Sequence, residues 1–257
     1  MGPLRVKHVL AIGGVDSSGG AGVAADLKVL HALSIHASLV ITAVTAQSSV
    51  AVTDVHDVPV DSIRAQLAAV LSDVPADAVK TGMLSSPGAV DAVVEALTGE
   101  PLVVDPVGVS STGAALLSPA ALDLLRTRLL PRATVVTPNL AEVAALTGVL
   151  VTSEEQMLAG ARAVLALGPA WVLVTGGHLP GDPMDLLYDG TTEIRLRGPR
   201  IDTPHTHGTG CTLAAAIAGH LALGLTVPEA VVAAKDVVTQ AIRRGYPHGR
   251  GAGPVRA

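Results

Sequence analysis

The chain has 257 residues, 49% of them apolar and 15% charged, with a formal net charge of −5 and a positive mean hydropathy of +0.52. That is enough apolar material for the core of one α/β domain, while a single cysteine excludes any intramolecular disulfide and fits a reducing cytoplasm. No basic block is present and aromatics reduce to Trp171, Tyr188 and Tyr246, so neither the electrostatic footprint nor the stacking platform of a nucleic-acid binder can be built.

Taken in chain order, Met1 to Lys7 lacks the apolar stretch of a signal peptide, and every later apolar run is interrupted before membrane-spanning length, so a cytoplasmic protein without membrane contact is expected. Strand-like runs follow at His8 to Ile12, Ala37 to Val44, Ala78 to Thr81, Leu102 to Asp105, Thr134 to Thr137 and Trp171 to Thr175. Segments of helical periodicity separate them. Pro59 with Asp61 opens one helix, Ser118 with Pro119 gives another an N-cap and first-turn proline, and Ser153 with Gln156 has capping-box spacing. Met184 to Tyr188 and Thr192 to Leu196 flank Asp189-Gly190, a hairpin signal. The alternation predicts an α/β fold, a mostly parallel sheet between helical layers with an antiparallel hairpin at one edge. One domain spans residues 1–257, with only the Gly-rich tail from Gly249 to Ala257 loosely held.

Polar and small residues collect after successive strands: Gly13 to Gly22, Thr45 to Ser49, Gly82 to Ser85, Asp105 to Gly113, Asn139, and Gly176 to His178. Ligands bind beyond the carboxyl ends of strands in open α/β sheets, so these segments are read as one site. The segment Val109 to Leu117 has too little apolar content for a fixed core element and is expected to form a flap over it. Gly20-x-Gly22-x-x-Ala25 mimics a dinucleotide fingerprint, but the second strand ends Thr42-Ala43-Val44 without the ribose-binding acid, and no Walker lysine follows the glycines. Asp26 reads as a solvated helix charge beside Lys28 and His31, Gln47 as a loop amide, Asp105-Pro106 as a turn, and Asn139-x-x-Glu142 as a helix start.

Near the C-terminal end, Thr206-His207-Gly208-Thr209-Gly210-Cys211-Thr212 runs into the apolar stretch Leu213 to Ala218. A tight turn of small residues entering a buried helix directs free N–H groups and the positive helix end at one point, a natural anion site. A tight loop with Cys211 as a small buried apolar residue is the alternative.

Together the segments Gly14-x-Asp16-x-Ser18-Gly19-Gly20-Ala21-Gly22, Ala25-Asp26-Leu27-Lys28, Thr42-Ala43-x-Thr45-Ala46-Gln47, Gly82-Met83-Leu84, Asp105-Pro106-Val107, Thr137-Pro138-Asn139-x-x-Glu142, Gly176-Gly177-His178 and the cysteine-containing turn resemble the hydroxymethylpyrimidine and phosphomethylpyrimidine kinases of thiamine biosynthesis. These belong to the ribokinase-like superfamily, whose fold is a three-layer α/β/α sandwich. The resemblance implies ATP-dependent phosphorylation of a small aminopyrimidine alcohol and then of its monophosphate, by a protein that is usually a homodimer. It implies that Gly208, Thr209, Gly210 and Cys211 form the catalytic turn, with Cys211 as general base; a thiol at a helix N-terminus is expected to have a lowered pKa. It further implies that Gly14, Asp26, Gln47, Met83 and Val107 line the pyrimidine pocket. The nucleotide falls to Asp105, Asn139, Glu142, Thr175, Gly177, Thr206 and Lys235, and Mg2+ to Glu142 and Asp105 through water.

Three positions depart from the family pattern. Thr175 stands where a lysine is often found, Gly108 where methionine is common, and His205 where asparagine is frequent. A pyridoxal or pyridoxine kinase is the competing reading, in which Cys211 would add to the aldehyde. A ligand-binding protein that has lost catalysis is a third reading, for which Thr175 is the hint.

Overall fold

A computed structural model describes residues 5–108 and 116–257. Its nine strands form one sheet in the order β3-β2-β1-β4-β5-β6-β7-β8-β9, with β1 at His8–Asp16, β2 at His36–Gln47, β3 at Val52–Asp57, β4 at Ala78–Thr81, β5 at Leu102–Val104, β6 at Val135–Val136, β7 at Trp171–Thr175, β8 at Met184–Tyr188 and β9 at Glu193–Arg197. Strands β2, β1, β4, β5, β6 and β7 are parallel. β8 and β9 form the expected antiparallel hairpin.

Successive side chains of a strand point to opposite faces, and the apolar runs supply a core residue to each. Leu10, Val79, Val104, Val136 and Val172 enter one core; Val9, Ala78, Val103, Val135 and Leu173 enter the other. The first core is covered by α2 (Val60–Leu71), α3 (Pro87–Ala96), α4 (Pro119–Leu124), α5 (Leu140–Thr147) and α6 (Glu154–Leu165). The second is covered by α1 (Gly22–Ala32), α7 (Thr209–Ala222) and α8 (Val227–Arg243). α7 is buried on nearly every side, which explains its alanines: Ala214, Ala215, Ala216 and Ala218 bring its backbone close to both neighbours. The packing is tightest at Gly219, where a Cβ would sit 2.9 Å from Leu33 Cδ1 and require that side chain to shift.

Four expectations are corrected. β1 does not end at Ile12 but runs through Gly13 and Gly14 to Asp16, paired to β2 throughout. A second antiparallel edge exists at β3, whose residues are mostly exposed and so carry no apolar signal. Ser153 caps α6 without a side-chain bond; Gln156 Oε1 instead accepts from the N–H and hydroxyl of Thr152. The tail is tied down by hydrogen bonds that composition does not reveal: His207 N–H donates to the Gly253 carbonyl and Val255 N–H to that of His207, while the N–H groups of Arg250 and Gly251 donate to the side-chain Oγ of Ser49. Most of the expected flap, residues 109–115, lies outside the described residues.

Candidate active site

The strand order reverses between β1 and β4, both of which neighbour in the sheet although separated in sequence. Such a switch point opens a crevice at the carboxyl ends of the strands. Gly14 on β1 meets Met83 just past β4, so closely that a Cβ on Gly14 would lie 2.9 Å from the Met83 sulfur. Thr42 fixes the opposite side of Met83 by donating to its carbonyl at 2.6 Å. Met83, Ala43 and Leu116, with Val55 and Val107 against them, form a small apolar cluster separate from the two cores. Three of the five expected pyrimidine-pocket residues, Gly14, Met83 and Val107, are thereby brought together.

Gln47 ends β2 and reaches a second cluster. Its Nε2 lies 3.4 Å from His207 Nε2, and His207 Nε2 lies 2.8 Å from Asp16 Oδ2. Asp16 also accepts from Ser18 N–H and hydroxyl and from the N–H groups of Gly20 and Ala21. These bonds to Asp16 hold its carboxyl below the usual range despite its burial. A buried carboxylate thus organises the first glycine-rich loop, and its histidine partner ties that loop to the turn before α7. Neither role was read from the sequence.

The two glycine-rich loops pack backbone to backbone. Gly208 is the left-handed N-cap of α7, and a Cβ there would be 2.0 Å from the Gly20 carbonyl oxygen. Gly22 N–H in turn points at the Cys211 sulfur. Thr209 N–H is already used by the Thr206 carbonyl, so the N–H groups of Gly210 and Cys211 are those the first helical turn leaves for an anion.

Beneath this turn lies a charged cluster fixed by strand register. Lys80 on β4 pairs with Val103 on β5, which pairs with Val135 on β6; two residues further on, Asp105 and Thr137 face the same side. Lys80 is 1% exposed and holds both oxygens of Asp26, 0% exposed on α1, at 2.9 and 2.8 Å. The reading of Asp26 as a solvated helix charge is therefore wrong, and the carboxylate presents no surface to a ligand. Lys80 was missed altogether. Burial opposes the charge of Lys80, but Asp26 and its acidic neighbours outweigh it and hold the ammonium above its ordinary value.

Burial also dominates the remaining groups. It pushes Asp105 up to about 6, assisted by Asp26, and Glu142 up to about 8, assisted by Asp105. The Cys211 thiol goes up to about 12, because desolvation and the carboxylates of Asp105 and Asp26 together exceed the pull of Lys80. The expectation of a lowered cysteine pKa is overturned: the helix end is present and the residue is only partly buried, but desolvation of the thiol and the carboxylates of Asp105 and Asp26 outweigh the helix end and Lys80.

Asn139 and Glu142 form a reciprocal capping box at the start of α5. Asn139 also bridges Thr175, whose N–H donates to Pro138. Beyond β7, Asp185 accepts from Gly176 N–H and pairs with Lys235, while Arg200 holds the carbonyls of Gly177, Leu179 and Gly181. Lys235 lines a cleft of about 260 Å³ with Leu196, Pro199, Val232 and Arg243 at the same end of the sheet. Thr206 is exposed at the mouth of the α7 turn.

No group of three or more His, Cys, Asp or Glu suited to a metal occurs among the described residues. Two carboxylates nevertheless fit Mg2+, which takes few protein oxygens and keeps its waters. Asp105 Oδ2 is buried without a hydrogen-bond partner, and the Thr137 hydroxyl is likewise unsatisfied. Asp105 and Glu142, each raised by burial and by a neighbouring carboxylate despite Lys80 beside Asp105, are a hard-oxygen pair.

A pH effect follows. Between the ordinary carboxyl value and about 8 the folded protein keeps a proton on Glu142 that the unfolded chain has lost, so this group makes stability fall as pH rises. Glu142→Gln, which keeps the capping oxygen, is expected to melt near wild type at pH 5 and several degrees above it at pH 8, without metal or nucleotide. Thermal melts across that range check this; a constant difference would refute it.

The model of the phosphomethylpyrimidine kinase family matches residues 16–256. The chain is 56% identical over 255 residues to the hydroxymethylpyrimidine/phosphomethylpyrimidine kinase of Streptomyces coelicolor, covering 98% of this chain and 95% of that one. It superposes on the ADP complex of Bacillus subtilis pyridoxal kinase with a TM-score of 0.91 at 37% identity, over 98% and 97% of the two chains. With the phosphomethylpyrimidine kinase of Clostridium difficile the TM-score is 0.81 at 40% identity, over 92% and 99%.

Proposed function

The chain belongs to the phosphomethylpyrimidine kinase family, and from that premise we propose how its site divides the labour. The protein is a kinase of ribokinase-like fold that uses ATP to phosphorylate a hydroxymethylpyrimidine and then its monophosphate, in thiamine biosynthesis. The acceptor ring lies on the apolar patch of Gly14, Met83 and Val107, with the Gln47 amide for its polar edge. Asp26 acts from beneath, through Lys80. The triphosphate runs over Asn139, Thr175, Gly177 and Thr206, and the nucleoside takes the cleft beside Lys235. The N–H groups of Gly210 and Cys211 hold the transferring phosphate, and Gly208 and Thr209 shape the turn. Cys211 faces the acceptor hydroxyl.

Asp105 and Glu142 would hold Mg2+ through water, where the ion supplies neutralising charge to the phosphates. No helix among the described residues is long and apolar enough to cross a membrane. The reading is completed by one domain per chain in a cytoplasmic homodimer that binds small molecules and no nucleic acid.

The observation that carries the proposal is the adjacency of an apolar ring patch and an anion-binding helix start at one switch point of the sheet. Purified protein with Mg-ATP should convert 4-amino-5-hydroxymethyl-2-methylpyrimidine to the mono- and diphosphate, followed as ADP release and by product mass. The likeness to Bacillus subtilis pyridoxal kinase makes pyridoxal the second acceptor to test. Turnover of pyridoxal alone would replace the pyrimidine reading; pyrimidine-induced thermal stabilisation without ADP would identify a binding protein instead.

A further inference from the structure

Lysine is a costly residue to bury, and a four-residue strand reading Ala78-Val79-Lys80-Thr81 has no surface on which to lift it out. Among the described residues Lys80 is the only lysine or arginine in the buried set. Its carboxylate partner comes from α1, 54 positions away, and satisfies the ammonium with both oxygens. A buried pair of this kind stabilises a fold little more than apolar residues of the same volume would. Its orientation is where it differs from them. Register aims Lys80 to the face of the sheet shared by Asp105 and Thr137, under the first turn of α7.

We propose that Lys80 is a positioning residue of phosphoryl transfer: the Lys80–Asp26 pair is a fixed dipole whose positive end lies under the Cys211–Asp105 end of the site. The inference rests on the kinase reading above. The groups facing the ammonium are Asp26, Asp105, Cys211 and, one position further, Glu142. The ammonium sits at the carboxyl end of β4, where a Cβ on Gly82 would lie 2.9 Å from its nitrogen, on the face that strand register gives to Asp105. The cations at the end of β7 are already engaged, Lys235 by Asp185 and Arg200 by the carbonyls of Gly177, Leu179 and Gly181, whereas Lys80 is built into the sheet itself. A dipole held by the fold needs no reorganisation as the acceptor oxygen loses its proton and negative charge is held on the transferring phosphoryl group.

Removing Lys80 alone would strand a buried carboxylate, so the informative variant is Lys80→Met with Asp26→Asn, which deletes the dipole without leaving an unpaired charge. Expected are a melting temperature within a few degrees of wild type, a KM for ATP within about threefold, and a kcat lowered about tenfold. A kcat loss below about fivefold, or a loss expressed only in the KM for the pyrimidine, would make the pair a structural or binding element and overturn the proposal. Should the double variant fail to fold, Gly82→Ala decides by the same threshold. A Cβ there would lie 2.9 Å from Lys80 Nζ, displacing the ammonium with all charges kept. Wild-type turnover of the pyrimidine tests the kinase reading separately, because the present inference is judged only from the variant-to-wild-type ratio.

Discussion

Gly208→Ala is expected to lower the phosphorylation rate by at least about a hundredfold, the scale associated with losing an oriented anion donor. Two effects combine at this position. The backbone is left-handed, with φ +85, which costs an alanine about 1–2 kcal/mol; and the new Cβ would sit 2.0 Å from the Gly20 carbonyl oxygen and 3.1 Å from its carbon. Conformational strain alone would lower stability and leave geometry intact. The clash cannot be relieved without moving the α7 turn from the first glycine-rich loop, which also separates Gly22 N–H from Cys211. Gly224→Ala separates the two causes, because Gly224 is also left-handed, at φ +92, but has nothing within 4 Å of a Cβ. That control should lose stability of the same order and retain turnover. ADP release and thermal melts on both variants check the pair; Gly208→Ala with more than about a third of wild-type turnover would show that the loop contact is not needed.

The site was legible where chemistry and local pattern coincide. Polar and small residues after apolar runs marked the carboxyl ends of β1, β2, β4, β5 and β7, since strands covered on both faces have no other use for them. The α7 turn was legible because glycines before an alanine-rich run imply both a tight approach and a buried helix. What remained hidden depended on pairing across the sequence. Asp26 looked solvated because Lys28 and His31 are near in sequence, yet its partner is Lys80. A local signal for that did exist: Lys80 interrupts a strand whose other residues are fully buried, and a buried lysine demands a carboxylate. The Asp16–His207 contact, spanning 191 positions, left no such signal. Tail and β3 were missed for a different reason, as both are held through their backbone N–H and C=O groups, which their own side-chain character does not encode.

Cys211→Ala is expected to reduce turnover about a hundredfold while leaving pyrimidine affinity nearly intact, the loss typical of a missing proton acceptor. The acceptor hydroxyl must shed a proton as it takes the phosphoryl group, and two side chains at that end can receive it, Cys211 and Asp105. Burial places the resting thiol at about 12, so at neutral pH it holds its own proton. It becomes a base only when positive charge in the loaded site draws that proton off. Asp105, at about 6, is the stronger competitor before loading but would be engaged once Mg2+ is bound. Cys211→Ser separates the possibilities, since a hydroxyl reproduces the size and hydrogen bonding of the thiol but ionises far less readily. If thiolate is the acceptor, the serine variant should be as slow as the alanine one. A serine variant near wild type would assign Cys211 to hydrogen bonding alone. Near-normal turnover in Cys211→Ala would transfer the proton to Asp105, and Asp105→Asn should then abolish turnover in that background.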